Sequence, residues 1–386
     1  MGKAIQLSKV AKYSKKRIDA DKVSLENFVT IDNILQNKAG ITTATNLPPS
    51  TNAMPAYEAG HILVGNIRPY LKKIWFANRE GGCSADVLNF EVNKGYDSKF
   101  VYYSMFRDDF FNHMMKGAKG TKMPRGDKNQ ILEFLIPDFD FPTQQKIAAV
   151  LSALDAKIEL NQRINAELES MAKTLYDYWF VQFDFPNEKG KPYKSAGGKM
   201  VWNEELKREI PLGWSSVMVG EILGKEPKTK KILNSDILPI GTIPVIDQSA
   251  DFIAGFTDDK NGLIKITEPR IIFGDHTRIL KLINFDFARG ADGTQVLLSN
   301  TNRLPQHLLY HTLLKIDLSN YGYARHFKFL KETRIILPDE KISRDFEGIA
   351  KSYYDVIKHN IFENLVLTEL RGWLLPMLMN GQVTVV

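Results

Sequence analysis

Residues 143–182 read TQQKIAAVLSALDAKIELNQRINAELESMAKTLYDYWFVQ, and their apolar positions step alternately by four and three. Ile147, Leu151, Leu154 and Ile158 lead into Leu168, Ala172, Leu175 and Trp179, with Asn161 and Asn165 as polar members of the same series. A sustained step of 3.5 residues keeps one stripe of a helix turned toward a partner. Pro142 and Thr143 punctuate its start, and Pro186 with the following NEKGKPYKSAGGK reads as a linker.

The same series recurs 199 residues later in 342–386, as Phe346, Ala350, Tyr353, Ile357, Asn360, Asn364, Leu367, Arg371, Leu374 and Leu378. Only Arg371 breaks the match, and its stem can lie along the seam with the charge outside. Each seam covers about 33 residues, roughly 50 Å of helix. If partner numbers sum to 525 in an antiparallel pairing, Asn161 meets Asn364 and Asn165 meets Asn360. Ile158 then meets Leu367, and Leu168 meets Ile357. Isolated polar residues in an apolar seam fix register, because slippage buries their amides unpaired. The alternative is that each helix packs only on its own module, since a seam by itself names no partner.

The segments before each helix also correspond, more loosely. GNIRPYLKKI at Gly65–Ile74 answers GDHTRILKLI at Gly274–Ile283, and VTIDN at Val29–Asn33 answers PVIDQ at Pro244–Gln248. GGCSADVLNF answers RGADGTQVLL, and FLIPDFDF answers RIILPDEK. Each module mixes short β-branched and aromatic runs with one amphipathic helix, SKFVYYSMFRDDFFNHMM capped by Ser98 and PQHLLYHTLLKI behind Pro305. Phe100, Tyr103, Phe106, Phe110 and Phe111 read as core. The expected fold is α+β: modules at 1–142 and 211–341, helices at 143–182 and 342–386, and a linker at 183–210. The two helices form an antiparallel coiled coil in a pseudo-twofold arrangement.

A chain of 386 residues with 44% hydrophobic content accommodates two such modules. No apolar run approaches the roughly 20 residues that span a bilayer, the N-terminus lacks a secretory signal core, and a single cysteine fits a reducing compartment. These features point to a soluble cytoplasmic protein that does not engage a membrane. The net charge of +6 says little by its size; where the basic residues fall says more.

KGAKGTKMPRGDK carries Lys116, Lys119, Lys122, Arg125 and Lys128 at every third position among Gly and Pro. In a helix that step drifts about 60° each time, whereas in a broken loop the side chains project together toward a phosphate track. The second module has YGYARHFKFLKETR at the corresponding place, where Arg325, Lys328, Lys331 and Arg334 keep the same step beside Tyr321, Tyr323 and His326. Tyr and Arg suit stacking and guanine reading in a groove. A second surface follows the apolar runs HILVGN and RIIFGD: Arg68, Tyr70, Lys72 and Lys73 in one module, His276, Thr277, Arg278 and Lys281 in the other. The DNA-binding set read from sequence is therefore Arg68, Tyr70, Lys72, Lys119, Lys122, Arg125 and Lys128, with His276, Thr277, Arg278, Tyr323, Arg325, His326 and Lys328. The competing reading is ordinary solvated loops.

Catalytic patterns are faint. There is no GxxxxGK[ST] loop and no strand–GxGxxG–helix unit. NLPPS at Asn46–Ser50 has an extra Leu and lacks the aromatic of an Asn-Pro-Pro-aromatic methyltransferase site. Pro137-Asp138 with Asp155-x-Lys157 imitates a PD-(D/E)xK nuclease, but the second half lies in the long helix. His307 and His311 stand four apart without a third ligand, which favours packing over zinc. Neither a metal nor a cofactor is expected.

The run FLIPDFDFPTQQKIAAVLSALDAKIELNQRINAELESMAKTLYDYWFVQFDFP resembles the specificity subunit of a Type I restriction–modification system, as do IPLGWSSVMVGEIL and ENLVLTELRGWLLPMLMNGQV. The resemblance spans nearly the whole chain and is weakest over residues 1–60. It implies two target-recognition domains, each reading half of a split, asymmetric double-stranded DNA site, with the paired helices as a spacer of fixed length. It also implies two modification subunits that methylate adenine, restriction subunits that translocate and cleave, and no catalysis by the specificity subunit itself. Exposed helix faces at Tyr176–Phe180 and Trp373–Leu378 are candidate docking sites for the methylating subunits. The rival readings are a stand-alone DNA-modifying or DNA-cleaving enzyme and a coiled-coil scaffold that binds protein.

Overall fold

The computed structural model describes residues 3–48, 53–291, 293–322 and 325–385. The chain divides into two units, Met1–Glu159 with Asn364–Val386 and Leu160–Glu363, so each long helix is shared between them.

The first unit is built on the strand Ile62–Gly65. Successive side chains of a strand point to opposite faces. Ile62 and Val64 enter a cluster with Phe100, Phe110 and Ile147, while Leu63 enters a second one with Val29, Tyr57 and Trp75. A strand buried on both faces has to be apolar throughout, as HILVG is. Ala11–Tyr13, Val87–Val92, Ile62–Gly65 and Ile74–Phe76 form one antiparallel sheet. Arg17–Asp19, Ala53–Tyr57, Gly81–Cys83 and Phe28–Val29 form the other, whose last pairing is parallel.

The second unit repeats this plan. Ile271 and Phe273 of the strand Arg270–Gly274 face one cluster and Ile272 the other. Arg270–Gly274 lies between Leu280–Ile283 and Thr294–Leu297, and Ile243–Ile246 runs parallel to Phe287–Arg289. The turns differ in length. Val64 pairs with Ile74 and Phe273 with Leu280, so the correspondence shifts from 209 before the turn to 206 after it. The first turn is thus three residues longer, which corrects the uninterrupted match of Gly65–Ile74 with Gly274–Ile283.

The expected single helix at 98–115 is two, Ser98–Phe106 and Asp108–Lys116, broken at Arg107 with ψ 150°. Its cap is Asp97, whose carboxylate accepts from Phe100 N at 2.9 Å, and not Ser98. Phe100, Tyr103, Phe106, Phe110 and Phe111 are all buried. Residues 183–210, read as a linker, are folded: Phe185 stacks on Tyr193 and Trp214, and Met200–Asn203 pairs with Arg208–Pro211. Aromatic rings spaced through a Lys/Gly-rich segment outweigh its turn composition.

The long helices run over Phe141–Tyr176, with a π-helical turn Asp177–Val181 after it, and Glu340–Met379. Asp140 and Asp339 cap them by accepting from Thr143 N and Lys341 N. Their buried faces match residue for residue at the interval of 199. Ile147, Leu151, Leu375, Leu378 and Met379 are buried in the first unit; Phe346, Ala350, Tyr176, Trp179 and Phe180 are buried in the second. Truncating a fully buried aromatic such as Phe346 costs about 3–5 kcal/mol. Tyr176, Trp179, Phe180, Leu375 and Leu378 therefore pack within their own units, and of the two proposed docking segments mainly Tyr178 and Trp373 stay exposed.

Within the second unit Asn360 Nδ2 donates to Asn165 Oδ1 at 2.8 Å, and Asn161 Nδ2 donates to Glu363 Oε2 at 2.6 Å. Within the first, Arg371 donates to Asp155. These partner numbers sum to 525, 524 and 526, so one helix ascends as the other descends. Among the described residues no helix is long and apolar enough to cross a membrane, and no group of acidic, His and Cys side chains is arranged to hold a metal.

Candidate nucleic-acid interface

In the first unit the turn Asn66–Lys72 and the basic loop 117–127 are laced together through the backbone. Arg68 N donates to Pro124 O at 2.8 Å, Ile67 bridges to Arg125, and Lys119 and Arg125 exchange both of their N–H···O bonds at 2.9 Å. A loop closed in this way holds its side chains outward with little freedom to collapse. Arg68, Tyr70, Lys119, Lys122, Arg125 and Lys128 are exposed, Tyr70 by half. Lys119 and Arg125 are paired with Asp127 at 3.4 Å and Asp86 at 3.1 Å. Such exposed pairs are worth little and give way to a phosphate. Lys72 differs. It shares Asp108 with Lys38, at 3.0 and 2.8 Å, and against the opposing effect of burial these hydrogen bonds hold the Asp108 carboxyl below its ordinary range.

Arg68 and Lys72 flank the turn Pro69–Leu71 in the left-handed region, at φ 52° and 51°. Non-glycine residues held there cost about 1–2 kcal/mol each, a strain common where a turn presents side chains for a task. Arg278, in the corresponding turn of the second unit, has φ 62°. That turn is tied to the start of the helix His326–Glu332. Asp275 O accepts from His326 N, and Asp275 Oδ1 accepts from Phe327 N at 2.8 Å. Gly293, at φ 71°, lets the turn close, because a Cβ there would meet the His276 ring at 2.7 Å. His276, Thr277 and Arg278 are exposed.

Other sequence expectations change. His326 is buried, its ring held between the carbonyls of Asp275 and Tyr321, so it braces the loop and has no free edge for a base. Lys328 and Lys331 belong to a helix, where their step of three carries them around the axis. Lys328 lies 4.0 Å from Glu332 and Lys331 lies over Phe327. Arg325 is exposed at the N-cap, and Tyr323 lies outside the described residues. Lys73 and Lys281 are buried braces, donating to Ile31 O and to the carbonyls of Asp247 and Asp251; burial pushes both ammonium pKa values down.

Sequence reasoning gave Gln36 and residues 42–45 no role, and took up residues 46–48 only as part of NLPPS. Gln36 and residues 42–48, together with Arg68, Leu71, Asp86 and Met123, line an open cleft of about 780 Å³. Its signal was the polar run TTATN, which has neither the charge nor the aromatics used to find the other loops.

Among the described residues neither the PD-(D/E)xK pattern nor the histidine pair assembles, and Pro49 and Ser50 of NLPPS lie outside those residues. Asp155 is occupied by Arg371 and Tyr103, and His307 and His311 are buried, with His307 Nδ1 2.6 Å from Glu347. Residues 6–170 match the family described as the Type I restriction modification DNA specificity domain. The chain is 27% identical to the Type I restriction enzyme MjaIX specificity subunit of Methanocaldococcus jannaschii, over 75% of this chain and 70% of that protein. It is 24% identical to the HindI specificity subunit of Haemophilus influenzae over 99% of both. In fold it is similar to the crystal structure of the Type I restriction–modification S subunit from M. genitalium, with a TM-score of 0.60 and 16% identity over 98% of this chain and 96% of that one. A duplicated α+β unit with shared long helices, whose residues 6–170 match the DNA specificity domain and which these relatives resemble along most of its length, is thus similar to the Type I restriction–modification specificity subunits.

Proposed function

We propose that this chain is the non-catalytic DNA-recognition subunit of a cytoplasmic restriction–modification complex, and that its two units each read one half of a split, asymmetric site. The observation that carries the reading is the repeated lacing of a strained turn to the loop before the last strand, Arg68 to Pro124 in one unit and His326 to Asp275 in the other. Both arrangements present cations, hydroxyl groups or amides on rigid backbone. Lys119, Lys122, Arg125 and Lys128 sit toward phosphates; Arg68, Tyr70, His276, Thr277 and Arg278 face base edges. The different turn lengths suit an asymmetric site, since the two units offer different donor sets.

The long helices act as the spacer between half-sites. A helix of 36 residues is about 54 Å long, against roughly 34 Å per turn of DNA. Two methyltransferase subunits and the restriction subunits complete the complex. Mapping methylated adenines in cells that carry this chain with its modification partner tests the reading: two half-sites at one constant gap are expected. Deleting one heptad from both helices should shorten that gap, and an unchanged gap rules out the helices as spacer.

A further inference from the structure

We propose that the cleft of the first unit receives base edges, and that Gln36, Thr43 and Asn46, which line it, complete the specificity surface begun by Arg68. The proposal rests on the DNA-recognition reading above and adds which wall reads sequence.

Three observations carry it. The cleft is open, about 780 Å³, and these three side chains and Arg68 line it. All four are exposed, and among the described residues Gln36, Thr43 and Arg68 make no side-chain hydrogen bond to the fold, while Asn46 reaches only its neighbour Thr45 at 3.5 Å. Asn33 shows what a structural amide looks like in the same place: it is buried and bonded to Thr30 N, Phe28 O and Thr42 O.

The third observation is the partition of charge. Asp32 and Asp86, the latter paired with Arg125, line the cleft with Arg68 and the buried Lys73, whose ammonium is turned to Ile31 O, whereas Lys119 and Lys122, on the loop that carries Met123, do not line it. A phosphate track laid in the cleft would meet these carboxylates with Arg68 as the exposed cation among its lining residues, while the neighbouring loop offers Lys119 and Lys122, so the backbone is steered to the lysine side and the base edges to the cleft. The wall then carries the groups that edges require: Gln and Asn bidentate to adenine, the Thr methyl against thymine, and Arg to guanine.

The test uses the full-length chain and a pool of duplex DNA with randomised positions. Gln36→Ala, Asn46→Ala and Thr43→Ser, which removes the methyl and keeps the hydroxyl, are compared with the unaltered protein for the sequences they retain and for the salt dependence of binding. The side chains are on the surface, so a matching melting temperature establishes that each variant is folded. Roughly tenfold loss of discrimination at one or two positions of a single half-site, with the other half-site and the salt slope unchanged, supports the proposal. If the unaltered chain selects a bipartite site and all three variants select it equally well, the cleft proposal fails while DNA recognition stands. If the unaltered chain selects no sequence, both fall.

Discussion

Arg371 donates its guanidinium to Asp155 across the helix pair of the first unit, and Asp155 also accepts from Tyr103 Oη at 2.6 Å. The guanidinium lies 4.9 Å from the centre of the Phe106 ring. Subtracting 199 from Arg371 gives Ala172, and adding 199 to Asp155 gives Tyr354; both belong to the buried cluster of the second unit. One seam position is thus filled by an ion pair in one unit and by a small residue with a tyrosine in the other. The pair is only 18% and 27% exposed, so each charge depends on the other. Arg371→Leu alone should cost about 2–4 kcal/mol, and the double variant Arg371→Leu with Asp155→Leu should recover most of it. Denaturant midpoints of the three variants check this; additive losses would contradict the dependence.

His311 supplies a pH prediction. Its ring is buried against Tyr176 and Phe346 beside Tyr354 Oη, and burial, helped by His307 and Lys315 and opposed by Asp177, lowers its pKa from 6.5 to about 4. The neutral ring is favoured in the folded chain, so between pH 4 and 6.5 the unfolded chain binds the extra proton. This stability is present in full above pH 6.5 and is lost as pH falls toward 4, by up to roughly 2–3 kcal/mol. Urea midpoints measured across that range should fall with acidification, and His311→Gln should flatten the fall. A slope unchanged in the variant would contradict the assignment to His311.

The helix seams were legible because a 3.5-residue period is a one-dimensional signal. Arg371 was legible only as an exception, since Asp155 is far from it in sequence and lies on the other helix. The strands HILVG and RIIFG gave the centres of both units, but turn length was hidden, because the lysines after each turn suggested an alignment that the strand pairing does not keep. Loop chemistry was read mainly from charge and neighbouring aromatics. That picked out Lys119 and Lys122, which the fold leaves exposed, and also His326, whose ring is buried between the carbonyls of Asp275 and Tyr321. It passed over Gln36 and Asn46, whose only distinction is that the fold makes little or no use of them.

In a mostly apolar seam, where Asn161 with Glu363 is a second polar pair, the hydrogen bond from Asn360 to Asn165 at 2.8 Å joins two amides. Replacing both with Leu should raise thermal stability, since each exchanges a desolvated amide for apolar contact, while it removes the penalty on sliding by a heptad. Cysteine crosslinking across the seam at two registers reads the difference: the unaltered chain should form one crosslink and the double variant more than one. A single crosslink in both would mean that the surrounding apolar contacts set register without the amides.

Lys119, Lys122 and Arg125 stand on one closed loop with exposed side chains. If each meets a phosphate, replacing all three with Gln should reduce the slope of log K against log salt by roughly 2–3, about 0.9 for each phosphate no longer neutralised. The preferred DNA sequence should not change, because phosphate contacts carry no base information. A slope that does not move would remove this loop from the interface.

Arg68 offers the sharpest separation of stability from recognition. It is held at φ 52°, a conformation that glycine adopts freely, so Arg68→Gly relieves strain of about 1–2 kcal/mol while losing up to about 1 kcal/mol to glycine's greater freedom when unfolded. The melting temperature should therefore hold or rise slightly. DNA discrimination at one base pair should fall by about 1–3 kcal/mol, the usual worth of a bidentate guanine contact. Arg107→Gly is the contrast: Arg107 has an ordinary φ of −67° and its side chain packs over Phe134 at 5.7 Å, so its loss should lower stability and leave base preference alone. A clear drop in stability for Arg68→Gly would mean that the strained turn is held for the fold and not for DNA.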